Sequence, residues 1–251
     1  SIGSVIYGKE RVIDNLIVAF LCDGHVLLED VPGVGKTVLA RAFSVTIGGS
    51  MQRIQCTPDL MPADVLGVSV YNQSSGEFSF REGPIVTNVL LVDEINRATP
   101  RTQSALLQAM EEKEITVEGS PVELPRPFFV IATENPVEFE GTFSLPEAQK
   151  DRFFLSLTMG YPSEASELEI MESHKRTTHP VSDLSPVTNP EEVALIKEEI
   201  RKVEVNETLV TYLMDLVEKT RKDPRLKRGA SVRASMALYS GAQALAAIRG
   251  R

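Results

Sequence analysis

Basic residues are in short supply: 26 Lys and Arg stand against 35 Asp and Glu, leaving a net charge of -9. That balance opposes a dominant phosphate-backbone partner, so nucleic acid is not expected, a local basic patch aside. Aromatics amount to 6%, tryptophan is absent, and nowhere do they interleave with basic residues as a base-stacking platform. Cysteine is scarcer still. Cys22 and Cys56 are too few for a disulfide framework or a zinc quartet and read as small buried apolar side chains in a reducing, cytoplasmic compartment. Three histidines, none paired at ligand spacing, add no metal site of that kind. The longest apolar run, Leu16 to Cys22, is far short of the roughly 20 residues that cross a bilayer, so no membrane span is expected. The chain opens on Ser1 with no signal-peptide pattern and, lacking a Met start, is expected to be trimmed. What remains is 251 residues, 42% apolar and 24% charged: an ordinary globular make-up with room for one large or two small domains.

Short apolar runs alternate with helical patterns through the first two thirds of the chain. Val12, Ile13, Leu16, Ile17 and Phe20 fall at helical spacing. After them come strand signals at Val26 to Leu28, Met51 to Cys56, Val89 to Val92, Phe128 to Ala132 and Phe153 to Leu157, with helical segments at Val38 to Ile47 and Thr102 to Glu112. Such alternation predicts an α/β fold with a mainly parallel sheet covered on both faces. Two intervals, about 66–80 and 114–124, show period-two patterning around Gly-containing turns and predict hairpins. Beyond Pro162 the strand signals stop. Ser163, Asn189 before Pro190, and Asn206 each offer a helix N-cap, and Val232 to Ile248 reads as a final Ala-rich helix. The expected division is an α/β domain over 1–161 and a helical domain over 162–251, with a Thr/Ser/Pro-rich linker between His174 and Pro190.

Three strand ends carry chemistry. Leu27-Leu28-Glu29-Asp30-Val31-Pro32-Gly33-Val34-Gly35-Lys36-Thr37 is an apolar strand, a glycine-rich turn and the head of a helix, the context a phosphate loop requires. Gly33 and Gly35 let backbone approach phosphate, and their N–H groups add to the positive end of the helix. Lys36 supplies a point charge for the β- and γ-phosphates, and the Thr37 hydroxyl is a Mg²⁺ ligand. Asp30 stands where the strict pattern has Gly, which bears on the turn and leaves the Lys, the Thr and the helix untouched. Val89 to Val92 ends in Asp93 and Glu94: Asp93 to hold Mg²⁺, Glu94 to polarise the attacking water. Phe128 to Ala132 ends in Thr133, Glu134 and Asn135, where Thr133 or Asn135 can meet the γ-phosphate or the water.

These segments, together with Asp93-Glu94-Ile95-Asn96-Arg97-Ala98, Thr133-Glu134-Asn135-Pro136, Leu145 to Phe153 and Gly229 to Ala234, resemble the MoxR family of AAA+ ATPases, in family order over almost the whole chain. The resemblance implies a P-loop NTPase that uses ATP/ADP and Mg²⁺. Nucleotide would lie on Pro32, Gly33, Val34, Gly35, Lys36, Thr37 and Val38, with backbone near Tyr7 and Gly8 against adenine. Asn135 matches sensor 1. Arg152 matches the arginine finger, which reaches a neighbour's nucleotide, and Arg233 matches sensor 2, which touches phosphate from the helical lid of its own subunit. The catalytic set implied is therefore Glu94, Lys36, Asn135, Arg152 and Arg233, with Thr37 and Asp93 at the metal. The hairpins correspond to the helix-2 and pre-sensor-1 inserts. Val232 stands where the sensor-2 motif often has Pro, and the lid is expected to be truncated at Arg251.

The function so implied is a homo-oligomeric ring, a hexamer by resemblance, that spends ATP to remodel a client, often with a partner bearing a von Willebrand factor A domain. Two other readings stand beside it. One is a nucleotide-gated scaffold with incidental hydrolysis, which would not need Asp93, Glu94, Asn135 and Arg152 together. The other is a nucleic-acid translocase, opposed by the net charge even though Arg221, Lys222, Arg225, Lys227 and Arg228 cluster.

Overall fold

The computed structural model describes residues 2–74, 76–117, 119–135, 141–173 and 180–250. Ser75 in the first hairpin's turn, Pro136 of one quoted motif, and the first part of the expected linker, from His174, lie outside them.

After a 3₁₀ turn at Ile2–Ser4 come helix α1 (Glu10–Leu21), strand β1 (Val26–Glu29), helix α2 (Lys36–Thr46), strand β2 (Met51–Gln55) and a short helix α3 (Pro62–Leu66). A hairpin of β3 (Gly67–Asn72) and β4 (Glu77–Glu82) leads to β5 (Val89–Asp93) and α4 (Pro100–Glu112). A second hairpin, β6 (Glu114–Val117) and β7 (Ser120–Glu123), precedes β8 (Phe129–Glu134), α5 (Glu147–Lys150) and β9 (Leu155–Leu157). The described residues beyond Leu157 form the helices α6 (Glu164–Ser173), α7 (Pro190–Arg201), α8 (Glu207–Lys222) and α9 (Val232–Ile248), besides one short 3₁₀ turn.

Five strands make one sheet in the order β2-β5-β8-β1-β9, every pairing parallel. β5 and β8 are buried along their whole length, and β1 from Val26 to Leu28, which is why their sequences run apolar without alternation until Asp93 in β5 and Thr133 and Glu134 in β8. Period two still sorts the side chains. Val26, Leu28, Leu91 and Ile131 pack on one face with Leu16 and Phe20 of α1 and Phe43 of α2. Leu27, Leu90, Val92 and Val130 pack on the other with Val65 of α3 and Leu107 and Met110 of α4. Phe20 meets Phe43 and Phe129 edge-on, with centroids 5.0 and 5.3 Å apart.

The capping residues act where the sequence puts them. Asn189, Asn206 and Ser231 accept from the N–H groups of Glu192, Thr208 and Ala234, and Ser163 Oγ accepts from Ser166 N at 3.3 Å. The last helices pack on α1 through a small cluster of Val18, Ile200 and Ala244. A charged cluster adds to this seam: Lys197 Nζ lies 2.7 Å and an Arg201 nitrogen 2.6 Å from the two oxygens of Asp23. Two expectations need correction. Cys56 is buried, but Cys22 is half-buried, since it caps the end of α1 where that helix meets the C-terminal helices rather than the core. Helix α3 was not anticipated: it is five residues long, held by Asp64 Oδ2 accepting from Met61 N at 2.9 Å.

Candidate functional site

Parallel pairing sets the polar ends of three strands side by side. Leu28 and Glu29 of β1 stand opposite Thr133 and Glu134 of β8, and Val92 of β5 opposite Ala132. The segments leaving these strands therefore share one crevice at the carboxyl edge, where open α/β sheets take ligands. From β1 the chain enters the glycine loop. Gly33 (φ 85°) and Gly35 (φ 93°) both occupy the left-handed region, and at neither would a Cβ meet any atom within 4 Å. The requirement there is conformational, and the loop's outer side stays clear for a ligand. Gly35 caps α2, whose first-turn N–H groups have no acceptor within the helix and point towards that side. Lys36 folds back over the loop, its Nζ donating to the Asp30 carbonyl at 2.9 Å. Burial pulls its ammonium below the ordinary lysine value, while Asp30, Asp93 and Glu94 act against that fall. Thr37 is exposed on the first turn of the helix.

Asp30, the departure from the strict loop pattern, proves to be a structural anchor. Its buried carboxylate accepts from three backbone N–H groups: Val31 at 3.0 Å, Met159 at 2.5 Å and Gly160 at 2.8 Å. A glycine could not tie the loop to the chain leaving β9.

Asp93 ends β5, buried, with Oδ2 2.7 Å from Arg53 Nε and Oδ1 accepting from Thr133 Oγ1 at 3.3 Å. Thr133 Oγ1 in turn accepts from Glu94 N at 2.9 Å. Glu94 adopts φ 55°, a left-handed turn that swings its carboxylate out of line with the strand, where Oε2 pairs with Arg97 at 3.0 Å. Nearby, the Cys56 thiol is pushed up to about 12 by burial, and by Asp93 and Glu94 after that. Asn135 is buried beside them, its carbonyl accepting from Asn96 Nδ2 at 3.4 Å. Lys150 was not singled out in the sequence, yet its Nζ bridges Glu29 at 2.8 Å and Glu134 at 2.7 Å, joining the ends of β1 and β8. Burial alone would lower its ammonium, but hydrogen bonds to those two carboxylates hold it above the ordinary value.

A cavity of 240 Å³ opens beside the loop, lined by Tyr7, Gly33, Val34, Gly35, Val38 and Met159 among others. Its walls are mainly apolar, as suits a flat base next to a phosphate site. Pro32 is exposed on the loop, and Gly8 (φ 65°) lies so close to Ser166 that a Cβ would come within 2.5 Å of its Oγ. The donor set fits Mg-nucleotide: a buried carboxylate on Asp93 and a hydroxyl on Thr37 are hard oxygen ligands, and Lys36 stands between loop and carboxylates.

The two remaining arginines lie elsewhere. Arg152 and Arg233 line a second cavity of 740 Å³ together with Gly24 and His25, which sit at the amino end of β1, whereas the glycine loop leaves its carboxyl end. Arg152 Nε is 3.5 Å from Glu111, and Arg233 hydrogen-bonds the other oxygen of the same carboxylate. Arg233, expected from sequence to touch phosphate in its own subunit, thus stands with Arg152 and apart from the glycine loop. The N-terminus of α9 is held by Ser231 Oγ donating to Asp151 at 2.8 Å, which turns Arg233 towards Arg152 instead.

A glycine loop heading a helix, with carboxylates at the ends of neighbouring parallel strands, defines a P-loop nucleotide-binding protein. Residues 25–155 match the family described as ATPase family associated with various cellular activities (AAA). Among curated relatives, the chain is 48% identical to uncharacterized protein YeaC of Bacillus subtilis, spanning 100% of this chain and 78% of that protein. It is 40% identical to Chaperone MoxR1 of Mycobacterium tuberculosis, over 98% of this chain and 67% of that one. The crystal structure of a Cytophaga hutchinsonii protein described as an ATPase superposes with a TM-score of 0.92 at 38% identity, covering 100% of this chain and 78% of the other. The chain belongs to the MoxR family of AAA+ ATPases.

Proposed function

We propose that this protein binds and hydrolyses Mg-ATP at the Gly33–Thr37 loop and uses the cycle to remodel a client protein, working as a cytoplasmic homo-oligomeric ring. Residues 162–251 act as its helical lid. The observation that carries the reading is the convergence, at one sheet edge, of the left-handed glycines, Lys36 and the Asp93-Glu94 pair. Bound Mg²⁺ supplies charge neutralisation for the transferring phosphoryl group, with Thr37 and Asp93 to hold it. Lys36 leaves the Asp30 carbonyl for phosphate. Glu94, already turned out of the strand, accepts the proton of the attacking water, and Asn135 orients it.

Arg152 and Arg233 serve a neighbouring subunit's nucleotide as a pair, since both face the cavity at the far end of β1. A head-to-tail contact closing into a ring, six-fold by family, brings such a surface to each loop. Arginines that meet the developing charge are worth roughly 10³ to 10⁵ in rate, so an isolated subunit turns over slowly. The relative named a chaperone supports the remodelling role, and the family resemblance points to a partner with a von Willebrand factor A domain. The test is ATPase rate against protein concentration together with Glu94→Gln. Specific activity is expected to rise with assembly, and the variant to bind ATP with turnover lowered about 100-fold or more. Activity that stays flat on dilution, with no assembly in light scattering, refutes the shared site.

A further inference from the structure

Glu111 stands at the last turn of α4 with its side chain 45% exposed, and one carboxylate takes both arginines. The three residues come from separate parts of the fold: α4, the stretch before β9, and the head of α9. Two guanidinium groups at one edge repel each other, and among the described residues the polar links between the head of α9 and the loop before β9 are this cluster and the Ser231–Asp151 hydrogen bond, with Phe154 packing farther along α9. The second ion pair available to Arg233, to Asp151, is long at 3.9 Å. Glu111 is thus the charge that gathers the pair. Its place in the chain matters too. Two residues on, Lys113 ends α4 in a left-handed turn, reaches Asp23 at 3.5 Å, and accepts from Leu124 N at 3.0 Å, closing the base of the second hairpin.

We propose that Glu111 is a positioning residue: it pre-assembles Arg152 and Arg233 into one doubly cationic edge for the neighbour's nucleotide, from the foot of the hairpin formed by β6 and β7. The inference rests on the shared-site reading above. Exposed pairs of this kind are individually weak, so a triphosphate can draw the arginines off Glu111, whereas without it they reach the neighbour separately and misplaced. Misplacement of catalytic groups by about 1 Å lowers rate on the order of 100-fold. Nucleotide affinity is set at the opposite end of β1 and is untouched.

The experiment is a subunit-mixing assay. Glu111→Gln alone is expected to lose about 10- to 100-fold in turnover while its affinity for a fluorescent ATP analogue stays within about twofold. Glu111→Asp keeps the charge and recovers part of the loss. Glu111→Gln has a sound loop and faulty arginines, and Glu94→Gln the reverse. A one-to-one mixture therefore regains about a quarter of the unsubstituted activity, the chance that a good loop meets good arginines in a random ring. Arg152→Ala mixed with Glu94→Gln is the reference. Turnover unchanged in Glu111→Gln, or no regain in its mixture while the Arg152→Ala mixture recovers, overturns the role of Glu111. No regain in the Arg152→Ala mixture overturns the shared site itself, and the proposal with it.

Discussion

Restoring the strict phosphate-loop pattern should damage this protein. In Asp30→Gly or Asp30→Ala the three N–H groups of Val31, Met159 and Gly160 lose a buried carboxylate acceptor. Hydrogen bonds to a charged group are worth about 1.5–3 kcal/mol each and are not additive when they share one acceptor, so the loss should be about 4 kcal/mol. For a chain of this length that lowers Tm by about 8–16 °C. Gly adds a further ~1 kcal/mol of backbone entropy relative to Ala. Asp30→Asn keeps an accepting oxygen but turns an NH₂ towards a donor, which should cost about 2 kcal/mol. The assay is urea unfolding at neutral pH, with nucleotide titration alongside, because Met159 also lines the 240 Å³ cavity. Stability of Asp30→Ala within about 1 kcal/mol of the parent refutes the anchor, and so does Asp30→Gly being the more stable protein.

Lys36→Ala removes a point charge from the phosphates and should weaken ATP binding about 10- to 100-fold by calorimetry; unchanged affinity would sink the role assigned to the loop. His25 is buried, accepting from Val130 N and hydrogen-bonded to the Met110 carbonyl, and burial lowers it to about 4. Its neutral form is the folded one, so its contribution is complete above pH 6.5 and lost as pH falls towards 4, about 3 kcal/mol in all. Urea midpoints over that range should fall less steeply in His25→Gln. Asp23 is held below its ordinary value by Lys197, Lys113 and Arg201 although burial alone would raise it, and it sits at φ 56°, which Asn tolerates. Asp23→Asn should therefore isolate the charge, stranding the buried Lys197 and costing about 2–3 kcal/mol in thermal unfolding.

The sheet was legible because burial on both faces writes itself into the chain. Val89 to Val92 and Phe129 to Ala132 have no polar residue to hide, and Asp93, Glu94 and Asn135 mark where water or ligand begins. Hairpins came from alternation, and the cap residues from their short oxygen-bearing side chains. Helix α3 was not, since a five-residue helix shows less than two turns of period and rests on one Asp64 hydrogen bond. Pairing across the chain was equally hidden. Nothing local says that Lys150 meets residues 121 and 16 positions earlier, or that Arg233 turns to Glu111; such partners are set by which helix packs on which strand end.

Those hidden pairs share a feature that bears on how the site works. Each charged group assigned to nucleotide has a resident partner: Lys36 the Asp30 carbonyl, Asp93 Arg53, Glu94 Arg97, and Arg152 and Arg233 Glu111. Left bare, the more buried of these charges, Asp93 and Lys36, would destabilise the fold. Arg53, Arg97, Arg233 and Glu111 are 41–52% exposed, however, and pairs with so much solvent contact contribute only about 0–1 kcal/mol each. A ligand with several charges can exchange them all at once. On the proposed reading, the residents keep the fold satisfied and hold these side chains near the loop, while none binds tightly enough to keep nucleotide out. Arg53 illustrates the balance: on the proposed reading, Arg53→Ala would free Asp93 Oδ2 at a cost of only about 0–1 kcal/mol and lower the Mg²⁺ concentration needed for turnover.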